Sequence, residues 1–170
     1  NLKKNSNLKI IGSDKELQIL RKKTKYALIG IGQIKNYKLR KNIYDKLINL
    51  KFDLPSISSK FAYVAKDTQI DISSIIMHRA IVNSNAQIGY NTIINTGAIV
   101  EHDTIVQNNC HIAPGAILNG EVLVKSGTFV GSGTIIKQGI KIGHNCIISA
   151  NKYIDKSIPD GKIIKWNLLI

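Results

Sequence analysis

An aliphatic residue recurs at every sixth position of this chain from Val64 to Ile154. All sixteen positions of this row hold Val, Ile or Leu. Because only 44% of the 170 residues are hydrophobic, composition alone would almost never produce such a run. A fixed period of this kind is typical of repeat proteins, in which each repeat is one structural unit. The spacing therefore predicts that residues 64–154 form a regular array of hexads.

Two other rows of the same period define each hexad. Four residues after each aliphatic, from Thr68 to Cys146, the residue is almost always small. Three residues after each aliphatic, from Asp67 to Asn151, Gly, Asn and Asp predominate, and these residues tolerate the left-handed backbone of tight corners. Each hexad is therefore predicted to be a short strand and a turn. Such strands cannot bury their aliphatic face alone, so successive turns of chain are expected to stack into a solenoid.

The net charge of +13 is concentrated in the first third of the chain. Residues 1–60 carry +11 and residues 61–170 carry +2. This excess indicates either a solvated lysine-rich surface or attraction for an anionic ligand, such as a nucleotide diphosphate or coenzyme A. Because these two interpretations account for the charge, a nucleic-acid partner is not expected.

No apolar segment approaches the roughly 20 residues that span a bilayer, and no signal peptide is recognisable. We therefore expect a soluble, cytoplasmic protein that does not interact with a membrane.

The first third reads as alternating strands and helices. Strands are predicted over 8–12 and 25–32, and helices over 13–23 and 36–50. This order suggests part of a parallel sheet, and Gly30 and Gly32 lie at a strand end where either a ligand phosphate could approach or the chain could turn tightly. We predict three regions: a partial nucleotide-sugar-binding domain at 1–58, the solenoid at 59–158 and a carboxyl-terminal tail or cap at 159–170.

Several segments together resemble the NeuD/PglD-like sugar acetyltransferases of the hexapeptide-repeat acyltransferase superfamily. They are "ALIGIG…LRKNIYDKL", "DLPSI", "INTGAIVEHD", "CHIAPGAILNGEVLV" and "GTFVGSGTIIKQGIKIG". The resemblance implies a left-handed parallel β-helix with three hexads per coil, preceded by a small α/β Rossmann-like domain. Relative to that family, the chain starts after the first strand–helix unit of the Rossmann-like domain. The family also implies a homotrimer.

By this resemblance, His102 matches the general base and Asp103 the acidic residue that raises its basicity, and Asn95 matches an asparagine of the same site. In the first domain, Gln33 and Leu39 fall near the nucleotide of the substrate, as Gly32 does.

Four further positions match contacts of acetyl-coenzyme A in the family. His111 matches a residue that touches the cofactor, and Gly120, Ser132 and Ala150 fall where backbone groups line its channel.

Acetyl transfer from a thioester needs a base near neutrality and a hydrogen-bond donor for the tetrahedral oxyanion. A histidine beside a carboxylate supplies the base, so we expect acetyl-coenzyme A-dependent N-acetylation of a UDP-linked amino-dideoxy sugar of the bacillosamine or legionaminic acid type, without a metal. Three alternatives are an O-acetyltransferase acting on a sialic-acid-like sugar, a non-catalytic solenoid, and a metal-dependent carbonic anhydrase. The last would need three closely spaced histidines, which the nine residues between His102 and His111 do not suit.

Overall fold

The computed structural model describes residues 10–165, in which eighteen two-residue strands form three parallel sheets. Sheet 1 comprises β1 (Ile57–Ser58), β4 (Ile75–Ile76), β7 (Ile93–Ile94), β10 (His111–Ile112), β13 (Phe129–Val130), β16 (Ile147–Ile148) and β18 (Ile163–Ile164). Sheet 2 comprises β2 (Tyr63–Val64), β5 (Ile81–Val82), β8 (Ile99–Val100), β11 (Ile117–Leu118), β14 (Ile135–Ile136) and β17 (Tyr153–Ile154). Sheet 3 comprises β3 (Gln69–Ile70), β6 (Gln87–Ile88), β9 (Ile105–Val106), β12 (Leu123–Val124) and β15 (Lys141–Ile142).

Successive strands pass from sheet 1 to sheet 2 to sheet 3, so one coil uses three hexads. The pairing register confirms this, since Ile94 pairs with Ile112 and Val100 with Leu118, eighteen residues apart. The result is a parallel β-solenoid of about six turns, the left-handed β-helix of hexapeptide-repeat proteins. We call its three edges the 1–2, 2–3 and 3–1 edges, after the two sheets that each edge joins.

The aliphatic row forms the core. From Ile76 to Ile148 its members are at most 2% exposed. The small row lies beside it, and its threonines satisfy backbone groups across coils: the Thr128 hydroxyl donates to the Gly143 carbonyl at 2.7 Å and accepts from the Cys146 N–H at 3.0 Å. Short side chains are needed here because a longer one would not fit at these corners.

The turn row has the predicted left-handed backbone. Asn85, Asn91, Asp103 and Asn109 have φ between 54° and 58°. These residues tolerate such φ values because their short polar side chains can hydrogen-bond locally. The prediction of a strand and a turn in each hexad is therefore confirmed.

Strand pairing extends beyond residues 59–158 at both ends. β1 pairs with β4 from Ile57 onward, and β18 pairs with β16 through Ile163. Between Ile154 and Ile158 the aliphatic spacing falls from six residues to four, and Ile158 still forms a parallel bridge with Ile142. Residues up to 165 of the segment predicted as a tail or cap therefore continue the coil, and residues 166–170 lie outside the described part.

Before the solenoid the structure contains two helices, α1 (Leu17–Arg21) and α2 (Lys38–Asn49). The prediction of a strand over 25–32 is wrong, since only a single bridge forms, between Tyr26 and Asp53. Residues 10–12 of the other predicted strand are not in a strand either, and residues 8 and 9 lie outside the described range. The reason is the lack of a partner strand among residues 10–56, without which a ladder cannot form.

The segment 29–40 docks on the 3–1 edge of the solenoid. Arg40 is 1% exposed and its guanidinium donates to four carbonyls, those of Ile29 and Ile31 at 2.7 Å and those of Ser73 and Asn91 at 3.3–3.4 Å. One buried side chain thus satisfies carbonyls that a second strand would otherwise pair. Neither helix in the described residues is long and apolar enough to cross a membrane.

Candidate active site

His102 lies in the turn after β8, on the 2–3 edge. Its Nδ1 is 2.8 Å from Oδ2 of Asp103, and both side chains are about half exposed. This partner fixes the orientation of the imidazole and leaves Nε2 as the ring nitrogen without a bond to Asp103. The pair that the sequence predicted is therefore formed, and solvent reaches it.

Asn85 fixes the carboxylate from its other side. Its Nδ2 donates to Oδ1 of Asp103 at 2.6 Å, so both carboxylate oxygens are engaged. Asn85 precedes Asp103 by eighteen residues and occupies the same turn position one coil earlier. Sequence reasoning missed Asn85, although the eighteen-residue spacing was a signal that could have found it.

The surrounding carboxylates increase the basicity of His102. The hydrogen bond with Asp103 is the main cause that raises the pKa of His102, and the charges of Asp103, Glu101 and Glu121 add to it. The pKa of Asp103 is lowered by the hydrogen bond with His102 and next by the bond from Asn85. Asp103 therefore stays ionised while His102 titrates, which is the arrangement that general-base catalysis needs.

The His102 ring lies directly over Gly120 of the next coil. A Cβ placed on Gly120 would come within 2.6 Å of Cε1 and Nε2 of His102. Any other residue at this position would therefore push the imidazole out of place. Gly120, predicted to line the cofactor channel, is in this structure the residue that makes room for the imidazole of His102.

His111 belongs to a different environment. It is 7% exposed in sheet 1, and its Nδ1 lies 2.6 Å from the Gln33 carbonyl oxygen. Its Nε2 lies 2.9 Å from Nδ2 of Asn95, and its ring meets Phe129 edge-on at 5.3 Å. Burial is the main cause that lowers the pKa of His111. The structure therefore gives His111 a neutral ring that joins the docked segment to the solenoid.

Of the residues predicted for the first domain, two lie beside His111 and one is exposed on α2. The Gln33 side chain is 7% exposed and its Nε2 donates to the Asn109 carbonyl at 2.5 Å, while Gly32 lies against the His111 ring. Leu39 is 65% exposed on α2. Asn95, expected beside His102, bonds His111 instead. Within one chain, none of these residues contacts His102.

The two remaining predicted positions lie on the 1–2 edge. Ser132 follows β13 and Ala150 follows β16, each two residues after the buried aliphatic of its hexad. His102 occupies the equivalent place on the 2–3 edge. Sheet 2 separates the two edges, so one chain does not bring His102 to the predicted cofactor residues.

Comparison with known proteins finds similarity to acyltransferases both in sequence and in structure. Residues 126–156 match the family model described as the hexapeptide repeat of succinyl-transferase. The perosamine N-acetyltransferase of Caulobacter crescentus, solved as a histidine-to-asparagine variant with CoA and GDP-perosamine, superposes with a TM-score of 0.86 at 27% identity, covering 91% of this chain and 72% of that one. The chain is therefore similar to hexapeptide-repeat acyltransferases in its repeat and in its fold.

A second acyltransferase structure is the acetyltransferase domain of PglB from Neisseria gonorrhoeae. It is 29% identical, with a TM-score of 0.74, and the match covers 76% of this chain and 63% of that domain. The same domain in complex with acetyl coenzyme A superposes with a TM-score of 0.80 at 26% identity, covering 86% of this chain and 72% of that one. No curated protein sequence matches the chain significantly. Within residues 10–165, no three His, Cys, Asp or Glu side chains are grouped as a metal site would require.

Proposed function

We propose that this protein transfers the acetyl group of acetyl-coenzyme A to the amino group of a nucleotide-linked sugar, with His102 as the general base. The observation that carries the proposal is the half-exposed His102–Asp103 pair, seated over Gly120 in a fold shared with sugar N-acetyltransferases. The sequence resemblance favours a UDP-linked amino-dideoxy sugar, while the Caulobacter enzyme was solved with a GDP-linked one. Both belong to the proposed substrate class.

The chemistry proceeds in one direct transfer. The sugar amine attacks the thioester carbonyl while Nε2 of His102 accepts the amine proton. A tetrahedral oxyanion forms and collapses, the carbon–sulfur bond breaks, and the coenzyme A thiolate leaves and takes up a proton. Asp103 stabilises the imidazolium through Nδ1 and does not itself take the proton. No covalent bond to the protein is required.

A single chain offers the base on an open edge, so we propose that the site is completed by a second copy in a homotrimer. The outward row of sheet 2 is entirely aliphatic or aromatic, comprising Tyr63, Ile81, Ile99, Ile117, Ile135 and Tyr153. The end members, Tyr63 and Tyr153, are 59% and 65% exposed. The outward row of sheet 3 instead contains Gln69, Gln87 and Lys141. The outward row of sheet 1 is also largely apolar, but Ile93 and His111 at its centre are already buried, at 6% and 7% exposed. Sheet 2 is therefore the face that gains most from burial against another copy.

Threefold packing through sheet 2 has a consequence for the site. When sheet 2 of every copy faces the symmetry axis, the 2–3 edge of one copy meets the 1–2 edge of the next. The 2–3 edge has an excess of negative charge, since its turns contain the carboxylates Asp67, Glu101, Asp103, Glu121 and Asp155 against Lys66, Lys137 and Lys156. The turns of the 1–2 edge, at 59–61, 77–79, 95–97, 113–115, 131–133 and 149–151, contain Lys60 and Arg79 and no acidic residue. The two edges are therefore complementary in charge.

The 1–2 edge also suits an extended cofactor. Its turns contain small residues from the third coil onward, including Ser132 and Ala150, and nothing lies within 4 Å of a Cβ placed on Gly97 or Gly115. This smooth strip would accept a pantetheine chain, with the thioester at the level of His102 on the neighbouring copy. The predicted cofactor residues and the base would then serve one site from two chains.

The direct test follows release of the coenzyme A thiol from acetyl-coenzyme A with a panel of acceptors. We expect turnover with UDP- or GDP-linked amino sugars and none with their N-acetylated forms, since the amine is the nucleophile. Transfer to the hydroxyls of a free sialic acid, without need for a nucleotide, would support the O-acetyltransferase alternative. The absence of transfer to every acceptor would contradict the proposal.

The assembly is tested separately by sedimentation. We expect a trimer, and we expect Ile117→Arg, which places a charge at the centre of the sheet 2 face, to give a folded monomer with little activity. A wild-type monomer with full activity would contradict the shared site.

A further inference from the structure

A chain of hydrogen bonds runs from the docked segment 29–40 through His111 to Asn95. Nδ1 of His111 lies 2.6 Å from the Gln33 carbonyl oxygen, which can only accept a hydrogen bond. The proton of this bond therefore belongs to Nδ1. Because burial lowers the pKa of His111, the ring is neutral and carries no second proton. Nε2 of His111 is therefore a hydrogen-bond acceptor.

This tautomer decides which way the Asn95 amide faces. Nε2 of His111 lies 2.9 Å from the Asn95 side chain and can accept only from the amide nitrogen, Nδ2. The amide oxygen, Oδ1, is thereby directed away from His111 and toward the turn of the 1–2 edge. Among the residues that the structure describes, one donor reaches this oxygen, the Thr96 N–H at 2.7 Å. A carbonyl oxygen has two lone pairs, so Oδ1 can accept one more hydrogen bond.

The docked segment is held in place where it meets His111. The buried Gln33 side chain donates from Nε2 to the Asn109 carbonyl, and the Arg40 guanidinium donates to the Ile31 carbonyl at 2.7 Å. The Gln33 carbonyl therefore has a fixed position against sheet 1. A fixed carbonyl at Nδ1 keeps the proton on that nitrogen, and the orientation of the Asn95 amide follows from it.

Asn95 and His102 lie at nearly the same level of the solenoid. The turns 95–97 and 101–103 are separated by one hexad, a third of a coil, which is roughly 1.6 Å along the axis. The next turn of the 1–2 edge, 113–115, is two hexads beyond His102. In the proposed trimer the 1–2 edge of one copy meets the 2–3 edge of the next at equal height. Asn95 of one copy is then in the turn nearest in level to His102 of the next.

We propose that Asn95 and His102 act as two hydrogen-bond acceptors for the attacking amine, with His111 as the residue that positions Asn95. This inference rests on the proposed acetyl transfer at a site shared by two copies. A neutral amine carries two N–H donors and one lone pair. The lone pair attacks the thioester carbon, and one N–H donates to Nε2 of His102, which takes that proton. The other N–H donates to Oδ1 of Asn95 and stays on the nitrogen of the amide product.

The same two acceptors disfavour a hydroxyl as the nucleophile. A hydroxyl has a single O–H, so it can donate to His102 or to Asn95 but not to both. A site whose polar group is left unpaired discriminates strongly against the wrong substrate. The amine also gains positive charge as it attacks, which strengthens its bond to the Asn95 oxygen in the transition state. The arrangement therefore favours N-acetylation over O-acetylation of a sugar.

The tautomer of His111 is tested without any substrate. Nitrogen-15 NMR of the labelled wild-type protein distinguishes a protonated from an unprotonated ring nitrogen, and His111→Gln identifies the signals of this ring. We expect the proton of the neutral ring on Nδ1. A proton on Nε2 would overturn the inference, because the Asn95 amide would then face the other way. That result would leave the proposed acetyl transfer standing.

The role in transfer is tested with Asn95→Leu, His111→Phe and the double variant. Two acceptors are compared, the nucleotide-linked amino sugar that the wild type acetylates and its analogue with a hydroxyl in place of the amine. We expect each single variant to lower kcat for the amine roughly tenfold and to reduce the preference for amine over hydroxyl, with the KM for acetyl-coenzyme A unchanged. The double variant should be no slower than Asn95→Leu, since His111 acts through Asn95.

The control is His144→Phe, which removes a histidine from a turn of the 3–1 edge and should behave as the wild type does. Wild-type kcat and preference in Asn95→Leu would overturn the inference, and so would a raised KM for acetyl-coenzyme A in His111→Phe. If the losses of the two single variants multiply in the double variant, His111 acts independently of Asn95 and the inference is wrong. Each of these results leaves the proposed function standing, whereas a wild type that acetylates no amine overturns both.

Thermal unfolding and sedimentation establish that the variants are folded trimers. Asn95 is only partly buried, so Asn95→Leu is expected to fold even if His111→Phe does not. In that case the tautomer of His111 and the amine preference of Asn95→Leu decide the inference.

Discussion

Nδ1 of His102 and Oδ2 of Asp103 lie 2.8 Å apart, and this bond is the main cause that raises the pKa of His102. We predict that Asp103→Asn lowers the pKa of His102, so that the acid limb of kcat/KM moves to lower pH. The wild-type limb should lie above the usual imidazole value of 6.5, because the base must be neutral to accept a proton and its pKa is raised. The turnover number should fall roughly tenfold or more, since the ring loses both its orientation and its basicity.

Glu101→Gln is the matched control for that experiment. Glu101 is a neighbouring carboxylate that bonds Asn83 rather than the imidazole. Glu101→Gln should shift the acid limb in the same direction as Asp103→Asn does, but by less, with the turnover number nearly unchanged. Equal shifts in the two variants would show that charge alone, and not the hydrogen bond, sets the basicity of His102.

Gly120→Ala is predicted to inactivate the protein without unfolding it. The added methyl would lie 2.6 Å from two atoms of the His102 ring, so the ring must rotate away from its position. Gly139→Ala is the control, because Gly139 lies in the turn of the following coil on the same edge with open space around its Cβ position. Gly139 has φ +71°, so the control costs about 1 kcal/mol of backbone strain and should keep its activity. Thermal unfolding and turnover of both variants, measured together, separate ring displacement from strain.

Arg40→Met is predicted to release the amino-terminal segment from the solenoid. The buried guanidinium has a pKa lowered to about 10 by desolvation and satisfies four carbonyl oxygens, all of which lose their donor in the variant. We expect a loss of about 3 kcal/mol in the free energy of docking, and amide hydrogen exchange should rise at residues 27–33 while β-solenoid amides stay protected. Arg40→Lys should not restore protection, because one ammonium cannot reach all four oxygens. Equal exchange rates at residues 27–33 in Arg40→Met and in the wild type would contradict this role of Arg40.

His111 should make the docked segment sensitive to acid. Its folded pKa lies below the usual 6.5, so the contact is fully formed above about pH 6.5 and weakens as pH falls, because the released ring takes up a proton more readily than the docked ring. Arg40 lies near and opposes protonation, while Asn95 and Gln33 are uncharged. We predict that His111→Gln flattens the pH dependence of exchange protection at residues 29–33. If His111→Gln keeps the acid sensitivity of the wild type, groups other than His111 are responsible for it.

The six-residue period was sufficient to predict the solenoid, because every coil repeats the same three requirements: an aliphatic inside, a small residue beside it and a turn residue that tolerates positive φ. The exact ends were less predictable. The four-residue step from Ile154 to Ile158 breaks the period, yet the backbone still pairs with Ile142 and continues the coil. Period alone does not show whether a shortened hexad ends a solenoid or only shifts it.

The site was predictable only in part. His102 and Asp103 are adjacent in sequence, so their contact follows from local geometry. Asn95 and His111 lie on neighbouring coils, but the contact of His111 with the Gln33 carbonyl depends on how the amino-terminal segment docks. That docking is set by Arg40, a charged residue within a predicted helix that gave no sign of being buried. The strand predicted over 25–32 failed for a related reason, since the carbonyls of Ile29 and Ile31 accept from the Arg40 side chain instead of from a partner strand.

The shared site is tested most directly by mixing two inactive variants. His102→Ala removes the base, and Ser132→Trp blocks the exposed cofactor strip on the 1–2 edge. Each variant alone should form inactive trimers, as checked by sedimentation.

After unfolding and joint refolding at equal amounts, three quarters of random trimers contain both variants, and one of their three junctions pairs an intact base with an intact strip. We predict that the mixture recovers about a quarter of the wild-type rate of acetyl transfer to a nucleotide-linked amino sugar. Mixed trimers that form without any recovery, from a wild type that is active, would contradict a site built from His102 of one copy and the 1–2 edge of the next.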